Sequence, residues 1–258
     1  MTIQRFDELL RSAVGRITNS ALSDIQWLQA SLPIKLGGLR VRRVTSLAIP
    51  AYLTSAASTL TLQDHILALC PSANNASFED YLSRWSSSFG APAVPWPSKQ
   101  SVWDRPGLQA DCARVEASVA DATQKARYLA SMAPHSGDWL LALPITSCGL
   151  RLDDEAVRVA IGTRLGLSLC VPHKCNCGAE VDAEARHAMV CKKAPGRMAR
   201  HQALNDVVCR AFISAGIPAS KEPAGLCTRD GKRPDGLSLI LTKWKAFGLG
   251  RYGGVHAG

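Results

Sequence analysis

The stretch "CNCGAEVDAEARHAMVC" (175–191) constrains this chain more than any other. One residue separates Cys175 from Cys177, nine separate Cys177 from His187, and three separate His187 from Cys191. Three thiolates and an imidazole complete a tetrahedral set for zinc. They leave no coordination position open, so the ion's role would be structural. His187 and Cys191, four apart, share one face of a helical turn. Gly178 lets the chain turn tightly after the paired cysteines. A single residue between the first two cysteines is one fewer than the usual two and makes a tighter chelate. The competing reading is a set of unrelated cysteines in a small core. Cys170 and His173 are nearby spare donors, read as bystanders.

The cysteine count of nine is odd, and the start "MTIQRFDELLRS" lacks a secretory apolar region. Both point to a reducing, intracellular compartment, where clustered Cys and His indicate metal before disulfide. No apolar run approaches the ~18–20 residues of a membrane span. Lys plus Arg exceed Asp plus Glu by 30 − 21 = 9. That balance fits a polyanionic partner, nucleic acid above all, or an ordinary basic protein. Lys192, Lys193, Arg197, Arg200 and His201 crowd behind the cluster, and no acid follows Cys191 until Asp206. Such a stretch could contact phosphates or form a solvated helix face. No aromatic residue interleaves it, which argues against single-strand stacking.

The remaining periodicity predicts mostly helices. Residues 3–19 carry Phe6, Leu9, Leu10, Ala13, Val14 and Ile17 at helical spacing, with Asp7 and Glu8 in the first turn. A helix over 44–58 would bend or break at Pro50. Short helices are expected at 61–69 and 77–87. "GAPAVPWPSKQ" (90–100) opens a Pro-rich linker taken to run over 90–106. An Ala-rich helical pattern covers 107–132. Asp153 and Asp154 are cap candidates for a helix ending at Gly166. The strongest amphipathic pattern lies in 196–216, with Leu204, Val207, Val208, Ala211, Phe212 and Ala215 on one face. Strands are expected at 219–224 and 236–241, paired as a hairpin with an open edge. The domains so drawn are 1–89, 107–167, a zinc module over 168–192, a segment over 193–241 and a poorly ordered tail over 242–258. The fold class is α+β, predominantly α-helical.

"KRPDG" (232–236) looks like half of a metal-dependent nuclease site, and its Lys232 and Arg233 are further candidates for nucleic-acid contact. Asp235 would enter a strand as one Mg²⁺ ligand, and Glu222 could add a second acid. No Asp or Glu follows Asp235 through Gly258. A Pro-Asp-Gly turn between strands explains the same residues without chemistry.

Taken in order, "LRLDDEAVRVAIGTRLG", "CNCGAEVDAEARHAMVC", "GRMARHQALND" and "EPAGLCTRDGKRPDG" resemble the C-terminal region of non-LTR retrotransposon reverse transcriptases. "FDELLRSAVGRITNSALSDIQWLQASLPIKLGGLRVRRVTSLAIPAYLTSA" resembles the helical stretch after the polymerase core of the same polyproteins. The resemblance covers most of the chain and is weakest over 60–130. It implies zinc at Cys175, Cys177, His187 and Cys191. It makes Asp235 the metal-binding acid of a restriction-like PD-(D/E)XK endonuclease. It implies DNA and element RNA as partners, and a nuclear site of action. The family's polymerase core has no counterpart here, and its second endonuclease acid is missing. Leu241 onward, written in permissible codons and read one base later, gives L-P-N-G-K-P-L-V-W-D-A-T-V-V, a turn and an acid-bearing strand. The expectation is therefore a fragment that keeps zinc binding and nucleic-acid contact. Its endonuclease-like α/β remnant is expected to be truncated and its tail frameshifted. No polymerase activity and little or no Mg²⁺-dependent cleavage are expected. Two alternatives are a co-opted zinc-containing nucleic-acid-binding protein and a non-catalytic helical structural protein.

Overall fold

A computed structural model describes residues 2–67, 76–90, 99–119, 121–148, 150–194, 196–223, 234–238 and 245–247. The chain divides into two compact units, residues 1–173 with 181–185, and 174–180 with 186–258. No described helix is long and apolar enough to cross a membrane.

The first unit is helical. Its elements are α1 (Ile3–Thr18), α2 (Asp24–Ser31), α3 (Val44–Leu67), α4 (Ala76–Phe89), α5 (Gln100–Ser118), α6 (Ala122–Met132) and α7 (Asp154–Leu165). The helix most central to it carries no periodic signal. α2 is buried from Trp27 through Ser31, so no polar face marks it. Its start is nevertheless written in the sequence. Ser23 accepts from the Gln26 N–H while the Gln26 side chain accepts from the Ser23 N–H, a reciprocal capping box. The described apolar side chains gather in clusters, two of which include α2. Val14, Trp27, Ala30, Leu165 and Leu167 join α1, α2 and α7. Leu28, Leu32, Val115 and Tyr128 join α2 to α5 and α6. Leu53, Phe78, Trp85 and Trp103 join α3, α4 and α5.

Several predicted boundaries move. α3 runs unbroken to Leu67 with Pro50 inside it. The linker expected over 90–106 ends by Gln100, where α5 begins, and Pro106 lies within that helix. Trp103 explains why: it is 1% exposed, so the first turn of α5 is core and not spacer. The helices before and after the linker therefore pack in one unit. Residues 91–98 lie outside the described residues. The single pattern over 107–132 is two helices. Asp121 starts the second by accepting from the N–H groups of Thr123 and Gln124, both at 2.7 Å. Asp153 caps α7 through the Ala156 N–H, and Gly166 ends it in the left-handed region, as the sequence indicates.

The face predicted for α1 is rotated. Phe6, Leu9 and Ile17 are exposed, whereas Asp7 and Thr18 are buried. Asp7 turns inward because it caps another helix. Its carboxylate accepts from the N–H of Val44 at 2.7 Å and of Thr45 at 3.1 Å, and from the Thr45 hydroxyl at 2.7 Å. Burial works to raise its pKa. The Thr45 and Val44 hydrogen bonds and the Arg43 charge outweigh that and hold it below the ordinary 3.8. A depressed carboxyl contributes stability above the unfolded pKa and loses it as pH falls through the folded value. Asp7→Ala is expected to cost about 1–2 kcal/mol at pH 7. The cost should shrink as pH falls below about 4. Paired urea melts at pH 7 and pH 3 measure it, and a cost equal at both would contradict the cap.

The second unit holds α8 (Arg186–Val190), α9 (Gly196–Ser214) and a three-stranded antiparallel sheet in the order β3-β4-β5. The strands are β3 (Ala219–Lys221), β4 (Gly236–Ser238) and β5 (Lys245–Phe247). Leu237 stands opposite Ser220 on one side and Ala246 on the other. The sequence reading expects a two-stranded hairpin with an open edge and a disordered tail after it. β5 corrects this: a segment of that tail pairs with the free edge of β4 and makes it the central strand. All three residues of β4 are buried, so its apolar and polar positions do not sort by face. Residues 224–233, 239–244 and 248–258 lie outside the described residues.

Candidate metal centre

Two very short strands, β1 (His173–Lys174) and β2 (Glu180–Val181), pair with each other and bracket the loop that carries Cys175 and Cys177. The loop is closed by its own backbone. The Cys175 N–H donates to Ala179 O at 2.9 Å, and the Gly178 N–H donates to Cys175 O at 2.8 Å. Gly178 sits at φ +92, a conformation that side chains other than glycine's rarely adopt. This turn gathers Cys175 and Cys177 on one side. α8 and the residue that follows it supply the other two donors. His187 lies within it, and the Cys191 N–H closes its last turn on His187 O at 2.8 Å.

The four ligand atoms of Cys175, Cys177, His187 and Cys191 all lie within 4.8 Å of one another, an arrangement that could hold a metal ion. Cys175 Sγ is 3.7 Å from Cys191 Sγ, and Cys177 Sγ is 3.1 Å from His187 Nε2. All three cysteines are free thiols. The Ala179 N–H brings the Cys177 thiol from 9.0 down to about 7, helped by Cys175, Cys191 and His187. Burial pushes the Cys191 thiol up. The spare donors stay outside the set. Cys170 Sγ donates to Asp182 O at 3.3 Å, and His173 Nδ1 is 2.9 Å from Val171 O. Among the described residues, no other group of three or more Cys, His, Asp or Glu side chains converges in this way.

The basic residues behind the cluster have different fates. Lys192 and Lys193 are exposed, with Lys193 Nζ 3.5 Å from Asn176 O. The side chains of Arg197 and Arg200, and all of Lys232 and Arg233, lie outside the described residues. His201 is turned toward the sheet: its Nε2 is 3.0 Å from Asp235 Oδ1.

That contact belongs to a row of side chains the apolar pattern does not reveal. His201, Asn205 and Cys209 recur every fourth residue and so share one face of α9. Asn205 is 1% exposed and donates from Nδ2 to Asp235 O at 2.7 Å. Cys209 is buried, with Sγ 3.9 Å from Ala219 O. The helix meets the sheet through this polar row, flanked by the half-buried Val208 and Phe212. Leu204 and Val207, expected in the core, are exposed in consequence. The signal available in the sequence was the spacing of His201, Asn205 and Cys209, which a count of apolar residues passes over.

Asp235 and Glu222, the two candidate nuclease acids, meet through backbone: the Glu222 N–H donates to Asp235 O at 3.0 Å. Glu222 is exposed and holds φ +43. The Asp235 carboxylate is directed to His201. Comparison of the chain with protein-family models, with curated proteins and with solved structures finds no match in any of the three.

Proposed function

We propose that Cys175, Cys177, His187 and Cys191 bind a structural zinc ion. The lysine-bearing surface beside it would contact nucleic acid, as part of a non-LTR retrotransposon polyprotein. The observation that supports this reading best is the convergence of four donors of the right chemistry from a turn and a short helix. Zinc–sulfur bonds of about 2.3 Å at tetrahedral angles set two sulfurs about 3.8 Å apart. The 3.7 Å between Cys175 and Cys191 meets that figure. A sulfur and an imidazole nitrogen on zinc stand about 3.5 Å apart. The 3.1 Å between Cys177 and His187 is therefore a little short and would open slightly on binding. With three sulfurs and one nitrogen bound, no position remains for water or substrate. The ion would then hold the loop and α8 together and take no part in chemistry.

In this reading Asp235 is a structural acid. It ties β4 to α9 through His201, and Mg²⁺-dependent cleavage of DNA is not expected. Cleavage that Asp235→Ala abolishes would overturn that assignment.

Nucleic-acid contact is tested by titrating a labelled DNA duplex at several salt concentrations. Each phosphate neutralised contributes about −0.9 to the slope of log K against log salt. The double variant Lys192→Ala, Lys193→Ala should therefore flatten the slope by about 2. Wild-type binding that ignores salt, or a slope the double variant leaves unchanged, would contradict the proposal.

A further inference from the structure

Between α3, α4 and α5 the helical unit holds a partly enclosed cavity of about 160 Å³. A cavity of about 150 Å³ accommodates a single aromatic ring. Trp85, Phe89 and Trp103 line it. The two indoles are fixed: their rings meet edge to face with centroids 5.0 Å apart, and Trp85 Nε1 donates to Trp103 O at 3.2 Å. The same cavity is lined by Arg42, Arg43 and Arg84 against two acids, Asp104 and Asp111, so its lining carries an excess of positive charge.

The arginines are only partly engaged. Arg42 gives one terminal nitrogen to Asp104 Oδ2 at 2.9 Å, and Arg43 gives one to Asp111. Neither pair is a two-pronged fork. Arg43 Nε and Asp104 Oδ1 are buried without a hydrogen-bond partner. A guanidinium carries five N–H donors, so a single bond to an acid leaves most of them for an anion. Arg84 forks onto Asp80, Nε to Oδ1 at 3.2 Å and a terminal nitrogen to Oδ2 at 2.9 Å, but both residues are exposed and four apart on one helix. Such a surface pair is worth little and yields to a better anion.

We propose that this cavity binds a nucleotide, with its base against the exposed ring of Phe89, beside the buried indoles of Trp85 and Trp103, and its phosphate on Arg42, Arg43 and Arg84. Its size favours a pyrimidine over a purine. Base stacking on aromatic side chains and phosphate capture by arginine are separate contributions, and the cavity offers both. The proposal is independent of the metal centre, because every described lining residue belongs to the helical unit.

The test is calorimetric titration of the full chain with CMP, AMP, cytidine and inorganic phosphate. CMP should bind saturably, at least ten-fold more tightly than cytidine or phosphate alone, and more tightly than AMP. Gly107 provides a variant that leaves the arginines untouched. A Cβ there meets only Phe89, at 3.5 Å, so Gly107→Leu should fold, fill the cavity and weaken CMP at least ten-fold. Arg84→Gln should erase the preference of CMP over cytidine. Competition with oligo(dC) decides the source. If the oligonucleotide displaces CMP, the ligand is a unit of a single strand; if it does not, a free nucleotide is bound. No CMP binding, equal binding of phosphate alone, or CMP binding unchanged in a folded Gly107→Leu chain would overturn the proposal. All of these outcomes should persist in Cys191→Ser, which separates the cavity from the nucleic-acid surface at the metal centre.

Discussion

Gly38→Ala is expected to destabilise the helical unit by more than about 4 kcal/mol, the range reached by few single substitutions. The reason is space. A Cβ on Gly38 would stand 2.0 Å from Leu32 O, 2.5 Å from Leu32 C and 2.7 Å from Gln29 O. All three are backbone atoms of the segment at the end of α2, so no rotamer change relieves the contact. The approach is this close because the chain after Gly38 folds back on α2. The Leu39 N–H donates to Ala30 O at 3.0 Å and the Arg40 N–H to Leu32 O at 2.9 Å. Moving the strand outward by the ångström or so that alanine needs breaks these bonds and pulls Leu39 and Val41 from the core beside Trp27. At about 2–4 °C per kcal/mol for a unit of this size, the thermal midpoint should fall by roughly 10 °C. Gly107→Ala is the control. It lies inside α5 with its nearest contact at 3.5 Å, and alanine there should be neutral or stabilising. A Gly38→Ala melt that matches wild type would show that the close approach is not real.

Arg164→Met should cost about 3–5 kcal/mol, for a different reason. Arg164 is only 6% exposed, yet among the described residues no carboxylate pairs with it. Its guanidinium is satisfied by three backbone carbonyls: Gly38 O at 3.1 Å, Ser136 O at 3.3 Å and Ile34 O at 2.7 Å. These carbonyls come from two segments far apart in sequence, and the planar fork of donors pins them both to α7. Methionine keeps most of the volume and removes every donor; Ile34 O keeps its bond from the Gly37 N–H, while Gly38 O and Ser136 O lose theirs. Lysine keeps the charge but not the fork, so Arg164→Lys should recover only part of the loss. Chemical denaturation of the three proteins ranks them. Equal stability of Met and Arg at this position would mean that the carbonyls are satisfied in some other way.

These two residues also show where the sequence was silent. Gly38 reads as half of a Gly-Gly turn, and nothing local announces that a backbone oxygen stands against it. Arg164 reads as a charge in the last turn of an amphipathic helix. Its burial depends on two loops, one 28 residues away and the other 126 or more. The same limit explains the rotated faces of α1 and α9. Asp7 is buried because Val44 and Thr45 donate to it, and Asn205 because its amide N–H reaches Asp235 O, and periodicity counts only apolar residues. α2 escaped because burial on all sides erases periodicity, although the Ser23–Gln26 cap was there to be read. What was legible was local chemistry. Asp153 and Gly166 bound α7, and the spacing of Cys175, Cys177, His187 and Cys191 sufficed to single out four residues whose donors converge. The polar row from α9 to the sheet, by contrast, depends on β4 returning to His201 and Asn205 some thirty residues later.

The central proposal is the zinc ion, and its most direct test is metal content. The chain, purified without added metal and weighed by native mass spectrometry, should carry one zinc per molecule. The ion should be lost on denaturation and absent from Cys191→Ser. Cobalt put in its place should give the absorption of a tetrahedral thiolate-rich site. A folded wild-type chain that carries no metal, or zinc that survives Cys191→Ser at full stoichiometry, would contradict the account.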